Sequence, residues 1–206
     1  MTIRSRRISS IAAGLLLPLA FAPFNLFWLA PVSLAVLFFL WEEQSPREAA
    51  IVGSFYGIGV FTLGTYWLYI SLRQLGGAPI PVVILLMSAL VLAMSAYTAL
   101  AGWLAARIRT KSGPLQWLVV LPAAWVLVEW FRGWFLTGFP WLSIGYSQVD
   151  TPVAGWAPIL GVHGVSWVVA LLAGLGVMFL RGGSRLGQLF AVVAGIVIAG
   201  LSMQLQ

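Results

Sequence analysis

The residues of this chain most able to do chemistry are Glu129, Arg132 and His163, and none of them belongs to a familiar catalytic set. Glu129 and Arg132 are three residues apart, which on a helix puts both on one face, within reach of each other. A lone charge deep in an apolar segment is costly, so the pair is expected either to form an ion pair or to leave Arg132 free to hold a lipid phosphate or an acidic group of a partner. His163 is the only histidine, and the chain has no cysteine. With no second imidazole, no thiolate and no carboxylate close in sequence, a hydrogen-bonded packing role is expected for it, and no metal site. Arg73, followed by Gln74, could meet a lipid headgroup or snorkel to the boundary. There is no G-x-S-x-G, no H-E-x-x-H and no phosphate-binding glycine loop. The residues give no catalytic set, no metal site and no cofactor.

Glu129 and Arg132 shortly precede an unusual connector, and His163 lies within it. "LTGFPWLSIGYSQVDTPVAGWAPILGVHG", residues 136–164, carries two tryptophans, three prolines, an aspartate and the sole histidine. "Gly138-Phe139-Pro140-Trp141" reads as a rigid turn. "Tyr146-Ser147-Gln148-Val149-Asp150" adds hydrogen-bonding groups. Tryptophan and tyrosine favour the membrane–water boundary. Trp134, Trp141, Tyr146 and Trp156 are therefore expected to form an ordinary aromatic belt or a structured surface that lines a lipid entrance or docks another domain. The candidate lipid or domain-interface residues are Arg73, Glu129, Arg132, Pro140, Trp141, Tyr146, Gln148 and Asp150.

The elements that hold these residues are set by composition. Of 206 residues, 61% are hydrophobic and 8% charged, against about 25% charged in a soluble domain. The mean hydropathy is +1.00. So much apolar surface cannot be hidden in a water-soluble fold of this length, and part of the solvent must be lipid. The net charge of +6 does not point to nucleic acid, because the basic residues sit in short clusters between apolar runs and not on one polar domain.

The fold class expected is an all-α integral membrane protein, a bundle of about seven transmembrane helices, with approximate spans 8–24, 25–41, 49–72, 80–106, 115–135, 158–180 and 186–205. Helices are preferred to a barrel because the apolar runs are continuous and do not alternate. The start could be a secretory signal ending at Ala20-Phe21-Ala22, but Pro23 suits cleavage poorly, and an uncleaved hairpin bent by Pro18, Pro23 and Pro31 is preferred. Gly53 and Gly57 form a G-x-x-x-G expected to let another helix approach closely. If there are seven spans, nine of eleven Lys and Arg fall in alternate connectors, and only Arg73 and Arg132 on the other side. That bias puts the N-terminus inside and the C-terminus outside.

Several stretches together resemble one family. "LLLPLAFAPFNLFWLAPVSLAVL", "GSFYGIGVFTLGTYWLYISLRQLGGAP" and "PAAWVLVEWFRGWFLTGFPWLSIGYSQVDTPVAGWAPILGVHGVSW" are similar to the membrane part of bacterial apolipoprotein N-acyltransferases. The E-W-x-R-G, G-F-P-W and G-Y-S-Q occur in the family's order. The resemblance implies a multi-pass protein of the bacterial inner membrane. It also implies transfer of an acyl chain from a phospholipid to the N-terminal diacylglyceryl-cysteine of a lipoprotein. In that family a Cys nucleophile, a Glu base and a Lys that stabilises the oxyanion lie in a nitrilase-like domain after the seventh span.

This sequence departs from the family there. It has no Cys, and its only Lys is Lys111, so no catalytic residue carries over. The nitrilase-like domain is not among the 206 residues. The chain is expected to be the membrane half of such an enzyme, a truncated form inactive by itself. The alternative is a non-catalytic membrane scaffold or lipid-binding protein that keeps the fold. The partners implied are phospholipid, a lipoprotein substrate and a nitrilase-like domain, with no nucleic acid.

Overall fold

The structure is a computed structural model that describes residues 2–181 and 185–204. Among the described residues all regular structure is helical. α1 spans Ile3–Leu16 and runs into a 3₁₀ turn, Leu17–Ala20. α2 spans Leu29–Trp41 and α3 Pro46–Gly64. A short α4, Trp67–Ile70, continues into a π turn, Ser71–Leu75. α5 is the long helix Ile80–Arg107. α6, Gly113–Leu115, leads through a π turn, Gln116–Val120, into α7, Leu121–Arg132. After a loop with three 3₁₀ turns come α8, Ala157–Arg181, and α9, Arg185–Gln204.

Local chemistry fixes where these elements begin. The Thr2 and Ser112 side chains accept the amides of Ser5 and Leu115. Ser45 accepts the amide of Glu48, while Pro46 takes the first helical position of α3, where its missing N–H is no loss. α8 is broken near its start at Gly161, which has φ +66°, a value that Cβ-bearing residues adopt only with strain.

The core forms where helix backbones touch. A Cβ at Gly53 would lie 2.3 Å from the Thr98 carbonyl oxygen, and one at Gly57 would lie 2.2 Å from Thr98 Oγ1. The G-x-x-x-G therefore lets α3 meet α5 at backbone distance, and Thr98 Oγ1 donates to the Gly53 carbonyl at 2.8 Å. Tyr56 is fully buried. Its hydroxyl is satisfied by Ser33 Oγ at 2.7 Å, which also bonds the Ala13 carbonyl at 2.7 Å. That chain of bonds joins α1, α2 and α3.

A second set of bonds gathers the basic end of the bundle on the turn 42–45. Glu42 accepts the indole N–H of Trp117 at 2.7 Å and Arg181 Nε at 2.9 Å. Gln44 accepts Arg6 through its side chain at 2.5 Å and Arg109 through its carbonyl.

The expected seven spans are corrected by this architecture. Among the described residues three helices are long and apolar enough to cross a membrane: Ile80–Arg107, Gly113–Arg132 and Pro152–Arg181. A fourth is reached only if Pro46–Gly64 and Trp67–Leu75, bent by 49°, count as one. The other segments fail for physical reasons. α1 starts among Arg4, Arg6 and Arg7 and stops at Leu16, just before Pro18. α2 has 13 residues, about 20 Å at 1.5 Å each, against a hydrocarbon layer of roughly 30 Å. In α9 the apolar stretch within the described residues is Val192–Ser202. Counting apolar letters joins pieces that proline, arginine and helix ends divide. The inside and outside assignment of the two termini rested on seven crossings and loses that support.

Candidate functional site

The last turn of α7 ends in Glu129 and Arg132, and the chain then enters the loop. Both side chains are buried, at 4% and 5% exposure. They do not bond to each other. Glu129 Oε2 accepts the backbone N–H of Ile144 at 2.8 Å, and its Oε1 accepts Ser166 Oγ from α8. Ser166 Oγ in turn accepts the Gly145 amide at 3.0 Å. Arg132 Nη1 donates to the carbonyls of Phe139, at 2.7 Å, and Trp141, at 2.6 Å. Its guanidinium lies over the Phe61 ring, 5.5 Å from the centroid. The Phe139 amide returns to the Arg132 carbonyl at 2.9 Å.

The two ions thus act as a clasp on a loop that needs one. Leu136, Thr137 and Leu142 all have positive φ, which costs free energy in residues with a Cβ and persists only where the surroundings over-determine it. Buried charges are tolerated when hydrogen bonds satisfy them, and here the partners are the loop's own backbone groups together with the Ser166 hydroxyl of α8. Below the clasp is a small cavity of about 20 Å³ lined by Phe61, Thr98, Trp125, Glu129, Arg132 and Leu142 among others.

Gln148 extends the clasp. Buried at 4% exposure, it donates to the Phe27 carbonyl at 3.2 Å and to Ser147 Oγ at 2.9 Å. This ties the loop to the connector between α1 and α2. Trp156 donates its indole N–H to Ser202 Oγ at 2.8 Å.

The outward face of the same loop is exposed. Trp141 and Tyr146 stand 50% and 55% exposed, and Pro140 and Asp150 are exposed beside them. The Trp141 ring packs on Trp67 of α4 with centroids 5.1 Å apart. Seven of the eight sequence-derived candidates therefore lie on α7 and its loop: Glu129, Arg132 and Gln148 as internal supports, Pro140, Trp141, Tyr146 and Asp150 as surface. Arg73 lies elsewhere, donating to the Ala78 carbonyl at 3.0 Å in its own turn. It does not join the clasp.

Sequence reasoning missed Trp67, Ser166 and the neighbour of His163. His163 Nδ1 is 3.7 Å from Glu129 Oε1 and makes no hydrogen bond. The expectation of a hydrogen-bonded imidazole without a nearby carboxylate is thereby corrected: the carboxylate comes from another helix, 34 residues earlier, and sequence spacing carries no signal of it. The Ser166, His163 and Glu129 types suggest a hydrolytic triad, but the order is wrong. A nucleophilic serine must give its proton to the imidazole, whereas Ser166 gives it to the carboxylate. This group fixes a turn. Among the described residues no cluster of His, Cys, Asp and Glu could hold a metal ion.

Comparison with known proteins adds the family context. The model of the apolipoprotein N-acyltransferase N-terminal domain matches residues 13–175. The apolipoprotein N-acyltransferase of Methylococcus capsulatus is 45% identical over 166 residues, covering 81% of this chain and 33% of the relative. That of Azotobacter vinelandii is 47% identical over 167 residues, 81% of this chain and 32% of the relative. That of Vibrio cholerae is 39% identical over 169 residues, 82% and 34% respectively. The chain spans about a third of the length of these curated relatives.

Proposed function

Because this chain belongs to the family of the apolipoprotein N-acyltransferase N-terminal domain, we propose that its clasped loop is a platform for acyl transfer from a phospholipid to the amino terminus of a lipoprotein. The chain is a membrane domain of that family, multi-pass in the bacterial inner membrane. We propose further that all 206 residues act as one membrane unit. The exposed face of Pro140, Trp141, Tyr146 and Asp150 supports a nitrilase-like catalytic domain. The supports are rigid and internal while the surface is aromatic and exposed, an arrangement suited to seating a partner without reorganisation. The 206 residues contain no cysteine, so a thioester intermediate draws its thiol from outside them.

The single observation that carries this reading is the pair of buried ions spent on loop backbone groups and not on each other. It is tested by replacing the matched region of the Azotobacter vinelandii relative with the corresponding residues of this chain. The chimera is expected to transfer acyl chains from phospholipid to a diacylated lipopeptide. Trp141→Ala within it is expected to lower the rate about tenfold or more, the scale of a misplaced reacting group. Full activity of both Trp141→Ala and Glu129→Ala would overturn the platform. A folded chimera with no activity would favour a scaffold or lipid-binding protein that shares the fold.

A further inference from the structure

A groove of about 590 Å³ runs along the side of α7, from Ile108 just after α5 to Trp130 and His163 beside Glu129. Its walls include Ile108 just after α5, Val119 in the π turn before α7, Leu127 and Trp130 of α7, and His163 and Trp167 of α8. All of these lie on or beside the three helices long and apolar enough to cross a membrane, so the groove sits at hydrocarbon depth. Ile108, Val119, Leu127 and Trp130 are roughly half exposed, and the groove therefore opens sideways toward lipid. From Val119 to Trp130 it extends about 16 Å at 1.5 Å per residue, the length of an extended acyl chain.

One end of the groove is chemically distinct. Ile108 is flanked by Arg107 and Arg109, and Lys111 follows in the same turn. Arg107, Arg109 and Lys111 are exposed. Among the described residues no carboxylate lies within ion-pair distance of any of the three. Arg109 is held in place by the Gln44 carbonyl. The three cations flank or follow Ile108 and do not line the slot itself, and an apolar slot that ends beside unneutralised cations fits an amphiphile with an anionic head. Juxtamembrane clusters of Lys and Arg attract such lipids.

We propose that this groove seats one acyl chain of an anionic phospholipid, with its phosphate-bearing headgroup held by Arg107, Arg109 and Lys111. The headgroup end lies at the opposite end of α7 from Glu129 and Arg132, while the other end of the groove reaches Trp130 and His163 beside Glu129. The site is independent of the acyl-transfer reading, and either can fail alone.

The test is native mass spectrometry of the full chain released from detergent micelles, titrated with phosphatidylglycerol or phosphatidylcholine of matched chains. One phosphatidylglycerol is expected to be retained in preference to phosphatidylcholine. R107Q/K111Q is expected to weaken phosphatidylglycerol retention about thirtyfold, each juxtamembrane cation contributing about fivefold, and to leave phosphatidylcholine unchanged. R107K/K111R, which keeps the charge, is expected to retain the lipid. L127W, at an exposed wall position, is expected to weaken retention of both lipids. R4Q/R47Q removes two cations of the same end that do not border the groove, and is expected to have no effect. Equal loss in R4Q/R47Q would show a diffuse basic surface and overturn the site. So would undiminished binding to L127W, or a lipid-free dimer that L127W disperses, which would make a second copy the occupant.

Discussion

Glu129 and Arg132, one helical turn apart on α7, hold the same loop from two sides and leave each other unbonded. Glu129 takes the Ile144 amide at 2.8 Å, and Arg132 takes the Phe139 carbonyl at 2.7 Å and the Trp141 carbonyl at 2.6 Å. Removing either ion leaves buried backbone groups without partners, and the effects must couple because one loop carries both.

Glu129→Ala is expected to destabilise by about 1–3 kcal/mol, the cost of leaving a buried amide unsatisfied. Glu129→Gln retains an acceptor and should cost less. Thermal unfolding in detergent followed by tryptophan fluorescence checks the order. Limited proteolysis should show cleavage within 138–148 in the Ala variant first.

Arg132→Lys keeps the charge but replaces a planar fork with a point donor. It cannot reproduce both carbonyl contacts at their present distances, and a loss of about 1–2 kcal/mol is expected. Hydrogen exchange at the Phe139 amide, which bonds the Arg132 carbonyl, should quicken while exchange in α3 is unchanged. Equal protection in both proteins would contradict the clasp.

Gly53→Ala puts a methyl group 2.3 Å from the Thr98 carbonyl oxygen, so α3 and α5 must separate. The expected cost is about 1–3 kcal/mol, as for other overpacked contacts. Thr98→Val removes the bond to Gly53 with little change of shape and should cost about 0.6 kcal/mol. The two melting temperatures, measured in one detergent, test whether contact distance or hydrogen bonding dominates this interface.

Trp141→Ala separates surface from support. The side chain is half exposed and leans on Trp67, so its loss is expected to change stability by about 1 kcal/mol or less. In the chimera with the Azotobacter vinelandii relative the same substitution is expected to reduce acyl transfer about tenfold. A fall in stability as large as that of Glu129→Ala would assign Trp141 to the support.

Parts of this arrangement are legible from residue spacing, and parts are not. The interval from Glu129 to Arg132 puts both on one face of α7, and Gly53 and Gly57 mark the close contact of α3 and α5. Spacing cannot say that the ions prefer loop backbone to each other, because residues 139, 141 and 144 return to α7 only once the loop has folded. His163 shows the same limit: its carboxylate neighbour is set by how α8 lies on α7. The span count fails for a different reason. Hydropathy sums over 8–24 or 25–41 are blind to the helix that starts among arginines at Ile3 and to the one that waits until Leu29.

The turn at 42–45 also governs how the molecule can move. Side chains from α1, from the stretch after α5, from the π turn before α7 and from the end of α8 all converge on Glu42 or Gln44. Pulling any two of those elements apart at this end breaks several polar contacts together. Opening of the bundle at this end is therefore expected to be one concerted event, because the same short turn carries all four ties.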